Sequence, residues 1–534
     1  MNRFQVLFIC ILGLIATSCF PFLNLGSKTT LRIVSGSENQ TLEPIVTHFA
    51  QQNGVEIETK YKGSLDIMLM LQEGTVDYDA IWPANSLWIS LGDKNHLVKD
   101  SESIMRSPVV LGVKKSVAQK LGWIGKDVRV NDILNAAENS KLKLMMTSAT
   151  QSNSGASAYF GFLYAFAGNP PVLTSDNLKD PNMRAQVKRI LGAVNRTAES
   201  SGWLRDLFLK DYDQYDAMFN YEALVIEMNQ ELVKNRQEPL YAIYPVDGLA
   251  IADSPLAFVN KGNADKEPIF LKLQQYLLSS SVQQEILEKG RRAGLVGLNP
   301  NNVNRNVFNP DWGIDVSRVL NPIKFPSAPV ISEALDLYQT ALRKASLTTY
   351  CLDYSPSMRE NDGYKQLVSA LDIVWNQDNA RKYLLQAAPD DLTIALLFGG
   401  SVFNYSQRDK WTVRGNNPSD FNRIYTLARD TDAQGSTAIY SCVIQALQTT
   451  REQMSPDRFP AVILMTDGQS NAGSSYNDFQ RYLNSMPNNI PVFAITFGNA
   501  STTELERITS LTHGRVYDGT KDLITAFRQA KGNN

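Results

Sequence analysis

Three short pieces in the last third of the chain carry hydroxyls and carboxylates at positions where a fold could gather them. Asp353-Tyr354-Ser355-Pro356-Ser357 is a D-x-S-x-S sequence directly after the apolar run 347–352. Gly435-Ser436-Thr437 opens a helical pattern, and Asp467-Gly468 closes the apolar run 461–466. Ser355, Ser357 and Thr437 with Asp353 and Asp467 make a set of hard oxygen donors, which prefers Mg²⁺, Mn²⁺ or Ca²⁺ over soft metals. Only two of the five are charged, so a bound dication keeps net positive charge. Mg²⁺ also retains waters in its octahedral shell, and an incoming carboxylate can replace one of them. Ser and Asp favour turns for reasons of their own; the conjunction of three pieces carries the reading.

The elements that must position these pieces are legible around them. Strand patterns fall at 347–352, 392–398, 461–466 and 492–497, with helical spacing between, including 364–375 and 438–447. Such alternation predicts a mainly parallel sheet, whose strand C-terminal ends share one crevice. Over 346–530 the order and spacing of the pieces resemble the metal-ion-dependent adhesion site of von Willebrand factor A (VWA) domains. That resemblance implies a Rossmann-like fold with Ser355, Ser357 and Thr437 as direct ligands. It implies Asp353 and Asp467 acting mostly through water, and a protein partner that supplies a carboxylate to the metal. Pro356 and Ser436 stand where glycine is commoner in that family; neither change removes an oxygen ligand.

The first half reads as a second α/β unit. Strand signals at 31–34, 55–58 and 78–82 alternate with helical spacing at 41–52 and 64–72. The apolar stretches 108–113 and 249–259 flank a segment with its own α/β pattern, the layout of two lobes joined by two crossing strands. Ser35-Gly36-Ser37-Glu38, Gly63-Ser64 and Gln151-Ser152-Asn153-Ser154-Gly155 each precede a helix, where free backbone N–H groups attract anions. Together these features resemble bacterial periplasmic solute-binding proteins of the two-lobed type II class, and residues 31–90 are most similar to the molybdate-binding kind. The resemblance implies a small anionic or polar solute held by Ser37, Ser64, Ser152, Asn153 and Ser154, with Tyr221 and Glu222 nearby. An acid at Glu222 would repel a fully ionised oxyanion and favour a protonated one or an amine. Trp82, Trp88 and Tyr159 are expected in the core.

The chain ends do different work. The apolar run 4–16 is too short for a membrane span, which needs about 20 residues, and fits a secretory signal. It ends Ala16-Thr17-Ser18-Cys19, which resembles a bacterial lipobox; this implies a lipid on Cys19 and anchoring to the outer face of a membrane. Cys351 and Cys442 are too few for a disulfide framework; they could form one bond, but the expectation is two small buried hydrophobes. Lys and Arg total 52 against 54 Asp and Glu, net −2, so no basic excess exists to hold nucleic acid. The motifs G-x-x-x-x-G-K-[ST], H-E-x-x-H and G-x-S-x-G are lacking and the three His are scattered, which argues against an enzyme.

The expected organisation is a signal peptide at 1–19, a tether at 20–29 and a solute-binding unit at 30–308. Lobe I takes 30–112 and 254–308; lobe II takes 113–253. A Pro-stiffened linker covers 309–331, with Pro310, Pro322, Pro326 and Pro329, and the VWA unit covers 332–534. The expected function is a membrane-anchored extracytoplasmic binding protein with a solute cleft and Mg²⁺-dependent adhesion. The alternative is the solute receptor of an ABC-type transport system with the VWA unit as its dock.

Overall fold

The computed structural model describes residues 29–293, 303–360, 362–498 and 502–533; the apolar run 4–16 and Cys19 lie outside the described residues. The chain is mixed α/β, and its described strands form three sheets. The first has the spatial order Glu56–Tyr61, Thr30–Ser35, Ala80–Trp82, Pro255–Val259, Val98–Ser103. Its first three strands are parallel, and Pro255–Val259 runs antiparallel to both neighbours. The second has the order Ile251–Ala252, Ser107–Lys114, Ala217–Tyr221, Leu144–Thr147, Val194–Ala198, with Leu240–Ile243 also on Ser107–Lys114. These are the two lobes. The chain crosses from the first sheet to the second between Ser103 and Ser107 and returns between Ala252 and Pro255.

The first crossing therefore precedes the apolar run 108–113, which lies in lobe II. Val109, Val110, Leu111 and Val113 are all at most 3% exposed, because both faces of Ser107–Lys114 are covered: Val110 joins the cluster around Met145 and Met218, and Leu111 and Val113 join the one around Phe160 and Leu163. A strand so enclosed reads as continuously apolar instead of alternating.

The third sheet has the order Thr412–Arg414, Leu392–Phe398, Ala345–Asp353, Arg458–Thr466, Val492–Thr496, Val516–Asp518. It is parallel except at Thr412–Arg414, and its topology is Rossmann-like. Ala345–Asp353 is its central strand and is buried along its whole length.

The Pro-rich segment packs closely on lobe II. Val307, Phe308, Trp312 and Ile314 join the lobe II cluster around Leu204, Phe208 and Met218, and Ile323 N–H donates to the Leu249 carbonyl. The following helix Ala328–Leu337 takes Pro329 in its first turn, where a missing N–H costs nothing. Its residues Val330, Ile331 and Leu335 share one hydrophobic cluster with Leu65 and Trp88 of lobe I and Phe160 and Leu163 of lobe II. Tyr159 is buried, as expected, and donates to the Ala334 carbonyl at 2.8 Å. Lobes and VWA unit thus share a core.

Cys351 and Cys442 correct the sequence expectation. Both are fully buried, but they are joined as a disulfide, with Cα atoms 6.0 Å apart. Their spacing of 91 residues gave no local signal; the central strand and the helix Ile439–Glu452 bring them together.

Candidate metal site and solute cleft

The metal-type residues lie at the C-terminal end of the third sheet. Asp353 ends the central strand, and Thr466-Asp467 leaves the adjacent parallel strand Arg458–Thr466. Asp353 Oδ1 accepts from Ser355 N–H at 2.8 Å, and Oδ2 accepts from the Thr466 hydroxyl. Those bonds fold the D-x-S-x-S turn back over its own strand. Ser355 Oγ and Ser357 Oγ are 3.0 Å apart, and Ser357 Oγ donates to Asp467 Oδ1 at 3.0 Å.

Thr437 arrives from a third direction. A methyl built on Gly468 would lie 3.7 Å from Thr437 Oγ1 and 3.9 Å from Ser357 Oγ, so the second and third pieces converge. Thr437 is fixed by Asn471, whose Oδ1 accepts Thr437 N–H at 2.8 Å while its own N–H donates to the Thr437 carbonyl at 2.8 Å. Asn471 escaped the sequence reading, although it lies only four residues past Asp467. The loop before Thr437 also needs glycine opposite it. A Cβ on Gly399 would stand 1.8 Å from the Gln434 carbonyl oxygen, so only a bare backbone allows this approach.

All five candidate ligands are thus brought to one place. Asp353, Ser355, Thr437 and Asp467 are buried, and Ser357 is half-buried. Burial pushes the Asp353 carboxyl up to about 6; hydrogen bonds from Thr466 and Ser355 oppose this, and the Asp467 charge adds to it. The two carboxylates are enclosed beside each other, so their charges repel, and a bound dication would reverse that penalty. The donor set therefore fits a hard divalent metal. Among the described residues no group of three or more His, Cys, Asp and Glu could hold a metal, so hydroxyls must contribute to any such site here.

The cleft residues lie where the two lobes meet. Ser37 Oγ on lobe I accepts from Gly202 N–H of lobe II at 3.3 Å. Asn153 on lobe II accepts from Trp88 Nε1 of lobe I at 2.7 Å and donates to the Tyr221 hydroxyl at 2.9 Å. Trp88 is in the core, as expected, but also bonds across the cleft. Ser152 and Ser154 share the Ser201 hydroxyl at 3.0 and 2.8 Å. Ser64 is 3% exposed and accepts from Ala84 N–H at 3.0 Å, within lobe I. Thr41 donates to Glu227 at 2.8 Å, a further bond across the lobes.

Glu222 is elsewhere engaged. It is fully buried, receives Arg292 through two hydrogen bonds of 2.8 and 2.7 Å, and accepts from the Tyr244 hydroxyl. This bidentate guanidinium pair and the Tyr244 hydroxyl commit both carboxylate oxygens inside the core. The acid that does face this region is Glu38. Burial raises its carboxyl to about 7, against its own backbone N–H and the Arg291 charge, and its Oε1 is enclosed without a hydrogen-bond partner. Glu38 stands in the Ser35-Gly36-Ser37-Glu38 sequence, of which only Ser37 is expected as a ligand.

Comparison with known proteins agrees with this division. Residues 31–292 match the family model of the bacterial extracellular solute-binding protein, and residues 351–525 match that of the von Willebrand factor type A domain. Among solved structures, the ferric binding protein from Campylobacter jejuni has 16% identity and a TM-score of 0.42, covering 58% of this chain and 98% of its own. The sulfate-binding protein from Mycobacterium tuberculosis H37Rv has 14% identity and a TM-score of 0.39, covering 57% and 96%. The periplasmic molybdate-binding protein of Azotobacter vinelandii has 16% identity and a TM-score of 0.35, covering 50% and 100%. No curated protein matches the sequence. The chain therefore joins an extracellular solute-binding domain, residues 31–292, to a VWA domain, residues 351–525.

Proposed function

We propose that this chain is an extracytoplasmic binding protein, held at a membrane by a lipid on Cys19. It takes a small polar solute between its lobes and binds a protein partner through a divalent metal on its VWA domain. One observation carries the metal reading: Ser355, Ser357 and Thr437, from two separate loops, converge on the buried pair Asp353 and Asp467. Those five residues would hold Mg²⁺, or Mn²⁺ or Ca²⁺ in its place. The metal when bound offers a coordination position to a carboxylate of the partner. The residues around it do the rest: Asn471 fixes Thr437, and Thr466 and Ser355 orient Asp353.

The solute reading is supported by polar groups that meet across the lobes, Ser37 with Gly202 and Trp88 with Asn153, next to Ser152, Ser154 and Tyr221 of lobe II. With Glu222 committed to Arg292, Glu38 is the acid available to a solute that brings a hydrogen-bond donor.

Thermal unfolding of the full chain with and without Mg²⁺ tests the metal. Mg²⁺ is expected to stabilise the native protein and to leave Asp353→Ala/Asp467→Ala unaffected; equal stabilisation of both would remove the assignment. Mass spectrometry of protein released from native membranes tests the cleft through a co-purified small molecule.

A further inference from the structure

The last helix of the VWA domain, Leu523–Lys531, reaches into the solute-binding domain. Its Arg528 is 1% exposed. Nε donates to Asp66 Oδ1 of lobe I at 2.6 Å, and one terminal nitrogen donates to the Thr150 carbonyl of lobe II at 2.7 Å. The other donates to the Tyr383 carbonyl within the VWA domain. A guanidinium is suited to this, since its planar fork of donors can serve three acceptors at once.

Both lobe contacts fall beside candidate solute ligands, Asp66 in the first turn of the helix Ser64–Glu73 and Thr150 in the turn before the helix Asn153–Phe166. Asp66 Oδ2 accepts Gly63 N–H at 3.2 Å, closing the turn that presents Ser64. Thr150 directly precedes Gln151-Ser152-Asn153-Ser154. The two loops touch each other: a Cβ on Gly63 would stand 2.3 Å from the Gln151 carbonyl oxygen. The neighbouring VWA residues add to the contact. Lys62 of lobe I pairs with Asp522 at 2.6 Å and donates to Thr525 at 2.9 Å. On lobe II, Arg515 pairs with Glu199 at 3.0 Å. Gly532 lies so close to Gln151 that an added Cβ would be 2.5 Å from its Cγ.

We infer that Arg528 is a positioning residue of the solute cleft: it bolts the Gly63-Ser64 loop of lobe I to the Thr150–Ser154 loop of lobe II. The cleft then opens only when the VWA helix lets go. A lobe separation must break the Asp66 contact, the Thr150 contact or both, and each leaves a buried polar group without its partner. By linkage, whatever holds the lobes together strengthens the docking of the helix, and release of the helix weakens the hold on solute by the same factor. That consequence for solute rests on the proposed solute role of the cleft; the bolt itself does not.

Hydrogen–deuterium exchange of the full chain, with no solute added, tests the bolt. Arg528→Ala is expected to raise exchange in segments 62–68 and 148–155 together, by about tenfold or more, as expected for a sub-global opening. Segments 345–353 and 461–466 in the VWA core should keep their protection. If that variant does not fold, Lys62→Met removes the pair with Asp522 and the bond to Thr525 and leaves Arg528 in place; it should raise the same two segments by a smaller factor. Unchanged exchange in both segments would overturn the inference. So would a rise spread through the VWA core, which would mark Arg528 as a support of its own domain. A failure to find bound solute would count against the solute role and leave this measurement untouched.

Discussion

Cys351 and Cys442 are bonded through the buried core, with Cα atoms 6.0 Å apart. The bond ties together two of the three elements that carry the candidate metal ligands. Cys351 lies two residues before Asp353 on the central strand, and Cys442 lies in the helix that follows Thr437. A cross-link over a loop of this length is worth about 3–5 kcal/mol through the unfolded state. Cys351→Ala/Cys442→Ala is therefore expected to lower the unfolding free energy of the VWA domain by about that range and to weaken Mg²⁺ binding. Chemical denaturation and calorimetric titration check both; unchanged metal affinity would limit the bond to a stability role.

Gly399 makes a sharper steric prediction. Its missing side chain lets the Gln434 carbonyl approach the end of the strand Leu392–Phe398. Gly399→Ala is expected to displace the 434–437 loop and to cost about 1–3 kcal/mol, in the range of overpacking a closed contact. Urea unfolding would read the cost. Mg²⁺ stabilisation, which the proposed site routes through Thr437 in that loop, should fall in the same variant.

Glu38 predicts a pH dependence. Burial lifts its carboxyl from 4.5 to about 7 in the folded protein. Between those values the unfolded chain has released the proton and the folded one still holds it, so stability falls as pH rises. The contribution is full below about 4.5 and lost above about 7. Glu38→Gln removes that slope and should gain on the order of 2 kcal/mol over the native protein at pH 8 relative to pH 4. Denaturation at both pH values is the measurement, and parallel curves would contradict it.

Cys19 is tested by fractionation. Cys19→Ala is expected to move the protein from the membrane fraction to the soluble one, or to block its processing. A processed variant that stays membrane-bound would count against the lipid.

What the sequence made legible was local. The D-x-S-x-S turn and the apolar strand before Asp467 could be read directly, because strand periodicity and turn chemistry are short-range. The strand Leu392–Phe398 appears with the predicted bounds. Contacts between distant residues gave no such signal. Arg528 and Asp66 are 462 residues apart, and an Arg on an amphipathic helix reads as a solvated face. Glu222 looked available in sequence because Arg292, its partner, lies 70 residues on. The segment with Pro310, Pro322 and Pro326 read as a spacer since Pro fixes φ. Its Trp312 and Ile314, with Phe308 just before it, carry the information that it packs on lobe II.

The central claim is that Asp353, Ser355, Ser357, Thr437 and Asp467 form one metal site. Electron paramagnetic resonance of the full chain titrated with Mn²⁺ tests it most directly. The account predicts a single tight Mn²⁺ per chain, displaced by Mg²⁺ and lost in Asp353→Ala/Asp467→Ala. Retention of that ion in the double variant, or no tight Mn²⁺ in the native protein, would contradict it.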